Sequence, residues 1–351
     1  MTTKMFAVIV GVASKRTHHS TSPRVTSRGH EVENIRSIRA ILAVTAAMAL
    51  AEPTVAAAQA ITEFPIPTAD TQPLGITSGP DGALWFTEIT QIGRISTTGA
   101  VTEYPTPTVN SNPYGITAGP DGALWFTEQT AGNIGRITTA GAVTEFPIPT
   151  ANSGPSGITA GPDGALWFTE SNANKIGRIT TAGVVTEYSI PTVGVSPTGI
   201  TAGPDGALWF TEACGPNIGR ITTAGVITEF PTPTPNSGAM DITVGADGAL
   251  WFTESFGNNI GRITTAGVIA EFPVPTFNSN PLGITKGADG VLWFTEGAGN
   301  NIGRITTAGV AGVVAEFAIP TISSGPWEIT AGPDGALWFA ELAGKDRKSV
   351  V

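Results

Sequence analysis

GPDGALWFTE, residues 119–128, is the stretch from which the rest of the chain can be read. It recurs seven times with small changes, its tryptophan falling at Trp85, Trp125, Trp167, Trp209, Trp251, Trp293 and Trp338. The spacings are 40, 42, 42, 42, 42 and 45 residues. A fixed period of about 40–45 residues is the mark of one four-stranded propeller blade. The expectation is therefore an all-β, seven-bladed β-propeller over residues 61–344, in which each blade buries its faces against two neighbours.

Working outward from the motif gives one blade. Residues 115–118, GITA, predict a short innermost strand. In Gly119-Pro120-Asp121-Gly122, proline presets φ, aspartate bonds nearby backbone and glycine accepts positive φ, so the chain turns. Residues 123–127 (ALWFT), 133–138 (NIGRIT) and 143–147 (VTEFP) predict the second, third and fourth strands. Pro147 and Pro149 end the last, because proline cannot donate to a ladder. Successive residues of a strand face opposite sides, so each blade offers an aromatic to both neighbours. The repeated Trp and Phe accordingly read as core, with an aromatic ligand cage as the competing reading. The Glu after Phe-Thr and the Arg of I-G-R-I recur from blade to blade, which marks them as structural. A cross-strand Arg–Glu pair is expected.

Composition agrees with a packed ring: 41% of residues are apolar, and the 44 Gly and 27 Pro sit at repeated turn positions. The first 60 residues hold seven Lys/Arg and three acids, and eleven bases and twenty-five acids follow. An acidic ring with evenly spread arginines argues against a nucleic-acid partner. Cys214 is the single cysteine, so no intrachain disulfide can form. His18, His19 and His30 all precede the repeats, leaving Cys214 without a base for nucleophilic work.

Ahead of the repeats, Arg36 and Arg39, the apolar run ILAVTAAMALA (41–51) and Ala58-Gln59-Ala60 have the layout of a secretory signal peptide over residues 36–60. The expectation is a secreted or periplasmic monomer with no membrane span after cleavage. Residues 1–35 read as disordered or as an over-extended start. ITEFPIP at 61–67 is a fourth-strand sequence with no strands of its own blade before it. It is expected to close the ring by joining the last blade, since open edges are a liability. That blade lacks a copy of N-x-I-G-R-I-T, and residues 345–351, KDRKSVV, read as a tail foreign to the repeat.

The motifs G-P-D-G-A-L-W-F-T-E, N-x-I-G-R-I-T and V-T-E-F-P-I-P-T closely resemble those of the streptogramin B lyase (virginiamycin B lyase) family, over roughly residues 61–344. The resemblance implies a seven-bladed propeller that opens the cyclic depsipeptide antibiotic by Mg²⁺-dependent C–O elimination, without hydrolysis. It also implies catalytic histidines directly after the proline of P-x-G-I-T in the last two blades. Those positions are Leu282 and Trp327 here. The family's metal-binding glutamate corresponds approximately to Glu341, and a second acidic ligand would fall on Gly325. Glu328 is the candidate base.

The other x positions include Tyr114 and Met240, which with Leu282 and Trp327 form the expected substrate-binding set. Two further functions compete with the lyase reading. One is a non-catalytic propeller binding a small molecule, peptide or protein on its top face. The other is a lactonase-like hydrolase, for which Asp241 and Glu328 are the unusual channel acids.

Overall fold

The computed structural model describes residues 60–307 and 312–342, together with the backbone of 4–9. The expected leader over 36–60, apart from the backbone of Ala60, and the tail at 345–351 lie outside the described residues. All elements in the described residues are strands.

Blade 2 shows the pattern. Pro113–Ala118, Leu124–Glu128, Asn133–Ile137 and Val143–Pro147 form one antiparallel sheet. The register sets Thr117 against Trp125, Trp125 against Arg136, and Arg136 against Thr144. Six blades are built this way from consecutive strands, at residues 76–105, 113–147, 155–189, 197–231, 239–273 and 281–318.

The seventh repeat differs. It contributes Pro326–Ala331 and Leu337–Glu341 alone, and its sheet continues through Lys4–Ile9 to Ala60–Pro65 at the outer edge. The expectation of seven equivalent blades is thus corrected to six self-contained blades and one composite sheet. Lys4–Ile9, in the stretch expected to be disordered, takes the third-strand place. The physical reason lies in the sequence: no I-G-R-I segment follows Glu341, so that strand's edge groups need a partner. KMFAVI is apolar and strand-forming enough to provide one.

The core lies between blades. Trp85 and Ile92 of blade 1 pack with Ile116, Leu124, Phe126 and Ile137 of blade 2, and the same cluster recurs around the ring. Within each of the six blades the Trp also lies against the aromatic of the fourth strand, as in Trp125–Phe146 at 5.6 Å between ring centres. Phe126 lies over Gly135, where an added Cβ would stand 2.1 Å from the ring. This explains the invariable glycine of I-G-R-I. Blade 1 meets the last repeat in one further cluster, Ile76, Leu84 and Phe86 with Ala336 and Trp338.

Two kinds of side-chain bond latch neighbouring blades together. Thr127 Oγ1 donates to Ser156 O at 2.6 Å while accepting from Gly115 N at 2.9 Å. On the outer side, Thr108 donates from its amide and hydroxyl to Glu145, at 2.9 and 2.7 Å. Thr321 donates from its hydroxyl to Glu63, at 2.5 Å. The inner hydroxyl is missing in the last repeat, where Ala340 replaces threonine.

Among the described residues the expected Arg–Glu pair does not form. Arg136 donates to the turn residue Asp121 at 2.6 Å, and Asp121 also accepts from Trp125 Nε1 at 3.0 Å. Arg136 stands opposite Trp125 and so shares its face of the sheet. Glu128 points to the other face. There it is fully buried and accepts from Asn133 Nδ2 at 3.1 Å.

Candidate functional site

The innermost strands of all seven repeats wall one cavity of about 100 Å³, which therefore lies on the ring axis. The wall is made of the x-G-I segments. Their glycines let neighbouring blades approach closely: a Cβ on Gly115 would stand 2.5 Å from Ser156 O. Two repeats break that rule, with Asp241 and Glu328 in the glycine position.

Of the residues expected from sequence, Tyr114, Met240, Leu282, Trp327 and Glu328 all line this cavity. Leu282 is 6% exposed, and the others are half-buried, facing the void. The Tyr114 and Trp327 rings meet edge to face at 6.4 Å and 87°. Glu341 is not part of the wall; it is fully buried on the second strand, opposite Pro326. Its equivalents Glu128, Glu212, Glu254 and Glu296 accept from third-strand asparagines, which marks the position as a framework one.

The two channel acids are held differently. Asp241 accepts from Ile242 N and from Ile284 N, both at 2.8 Å, so it ties blade 5 to blade 6. Burial pushes its carboxyl up to about 6, against the pull of those two amides. Glu328 is pushed well above the ordinary range, first by burial and then by the charge of Asp241. No hydrogen bond holds its carboxyl among the described residues. Burial, and then the charge of Glu328, also push the Tyr114 phenol upward. Like charges in a poorly solvated site cannot both ionise freely, so the pair holds a proton into the neutral range.

The model of the virginiamycin B lyase family matches residues 45–194 and 158–347. The chain belongs to the virginiamycin B lyase family. Among solved structures, a streptogramin B lyase is 43% identical over 79% of this chain and 92% of its own, with a TM-score of 0.76. Virginiamycin B lyase from Staphylococcus aureus is 45% identical over 79% and 97%, with a TM-score of 0.73. A catalytically inactive histidine-to-alanine variant of the S. aureus enzyme, with quinupristin, is 44% identical over the same shares, at a TM-score of 0.73. No curated protein matches the chain.

The Mg²⁺ that virginiamycin B lyase resemblance implies does not fit these residues. Leu282 and Trp327 offer no donor, and Gly325 has no side chain. Among the described residues no three His, Cys, Asp or Glu converge as a metal ligand set. A hard divalent cation wants several oxygen ligands.

Ser156 and Thr198, x residues of the same P-x-G-I-T position, line the wall as repeat equivalence implies. Sequence reasoning missed the Asp241 staple. It had a signal: two acids in a position otherwise reserved for glycine.

Proposed function

We propose that this family member is a secreted, lyase-like propeller that binds a small-molecule or peptide ligand at the axial cavity and does not carry out the family's C–O elimination. One observation carries the reading: Leu282 and Trp327 line the cavity at the two positions where the resemblance puts imidazoles. The elimination needs a base for the proton α to a carbonyl and a group that stabilises enolate-like charge. Neither side chain supplies either. Loss of a positioned base removes about 10²–10⁴-fold in rate. The protein acts outside the cytoplasm as a monomer without a nucleic-acid partner, in keeping with its leader-like 36–60 segment and acidic repeats; cleavage after Ala60 would take Lys4–Ile9 with it and leave the place between Leu337–Glu341 and residues 61–65 open. Closure of the ring by residues 61–67 belongs to the same reading, supported by the pairing of Ala60–Pro65 in the last sheet.

The test is incubation of the full chain with quinupristin and Mg²⁺, followed by mass spectrometry of the product. Intact antibiotic is expected. Robust opening would overturn the proposal and point to Glu328, whose raised carboxyl would then serve as base. The triple change Leu282→His, Gly325→Glu and Trp327→His should gain opening. Gly325 has φ +62°, but Gln72, Asn112, Ser196 and Asn280 take positive φ at the same repeat position, so a side chain is tolerated there.

A further inference from the structure

Asp241 and Glu328 occupy the same position of their repeats, yet only Asp241 is tied to backbone amides. Glu328, one methylene longer, is left with a carboxyl that faces the cavity and finds no donor among the described residues. Among the described residues the wall carries no Lys, Arg or His to balance it. Tyr114 and Trp327 stand beside it as an edge-to-face pair, and Met240 and Leu282 complete an apolar lining.

Resting on the binding role given above, we propose that the axial cavity takes a compact organic cation, an ammonium group, with Glu328 as its counter-ion and the Tyr114 and Trp327 rings against its alkyl groups. The choice of cation follows from the wall. A metal ion would need several hard oxygen ligands in place of rings and a thioether. A weakly hydrated ammonium gains from a ring face and from one carboxylate in poorly solvated surroundings, and its charge favours release to solvent of the proton that the Asp241–Glu328 pair otherwise holds. Asp241, already tied by two amides, supplies charge at longer range. The remaining titratable group of the wall, Tyr114, is held protonated.

Calorimetric titration of the full chain at pH 7.5 and low salt, with tetramethylammonium chloride and separately with its neutral isostere tert-butanol, tests this. Tetramethylammonium is expected to bind at one site, roughly tenfold or more tighter than tert-butanol. Glu328→Gln should abolish that preference and leave tert-butanol binding unchanged, and Trp327→Leu should weaken the cation more than tert-butanol. Equal binding of the two probes by the unmodified protein, or no binding of the cation, would overturn the assignment even if a variant failed to fold. The two readings fail separately. Quinupristin opening would sink the non-catalytic role without touching the cation preference. Quinupristin binding without a cation preference would do the reverse.

Discussion

The first five repeats each commit three side chains to one local unit. Asp121 bonds the indole of Trp125 and the guanidinium of Arg136, which lies 5.9 Å from the ring centre. Trp125 is fully buried, so its N–H has no solvent to turn to. Asp121→Ala should therefore cost about 2–3 kcal/mol, read as a lower denaturant midpoint. Ala340 is the converse case. In the other repeats a threonine there accepts the amide of the glycine-position residue and donates to the next blade's carbonyl, as Thr87 does with Gly75 N and Tyr114 O at 2.9 and 2.7 Å. Ala340→Thr restores a hydroxyl between Glu328 N and Leu74 O by repeat equivalence. The expected gain is about 0.5–1.5 kcal/mol, and an unchanged midpoint would show that the two strands do not meet as the others do.

At the scale of a strand, the second and third are locked by contact rather than by propensity. The Phe126 ring fills the space where Gly135 lacks a side chain. Gly135→Ala must displace a fully buried ring and should destabilise by about 1–3 kcal/mol, although alanine suits a strand no worse than glycine. The same pair of strands carries the buried glutamates. Burial pushes Glu88, Glu128, Glu254 and Glu296 up to about 7, and Glu170 and Glu212 to about 8. Glu170 lacks the asparagine and has Lys175 across from it. Lys175→Asn should leave the fold intact and give this blade the Asn–Glu bond of its neighbours, a bond visible in a crystal structure of the variant.

Across the whole molecule these groups act together on stability. An acid whose native value is raised above 4.5 keeps its proton in the folded state after the unfolded chain has lost it. Unfolding then releases protons, so stability falls as pH rises from about 4.5 to about 8. The turn aspartates work in the other direction. Burial pushes Asp121 upward, but bonds from Trp125 and Arg136 outweigh it and leave its value lowered. Such groups add stability above about 3.8 that is lost as pH falls through their native values. The thermal midpoint should peak near pH 5 and fall by pH 8.5; a midpoint rising across that range would contradict the burial of the glutamates. Closure gives the second test at this scale. A chain starting at Ile61 lacks Lys4–Ile9, the third strand of the last sheet, and should show a lower denaturant midpoint than the full chain. Adding NKIGRIT after Gly344 of the shortened chain should recover it.

The repeat alone determined the architecture. The Trp spacing, the P-D-G turns and the period-2 aromatics leave a four-stranded blade little alternative, because each feature is local and repeated. The candidate site was legible for a related reason: residues in one repeat position must converge on the axis, which brought Tyr114, Met240, Leu282, Trp327 and Glu328 together. Tertiary structure decided whatever depends on facing and on neighbours from another repeat. Arg136 meets Asp121 instead of glutamate because the pleat puts Glu128 on the far face. Asp241 is satisfied by the amide of Ile284, which comes from the next blade. The last sheet took Lys4–Ile9 because an unpaired strand edge accepts a partner through backbone groups, which every sequence carries alike.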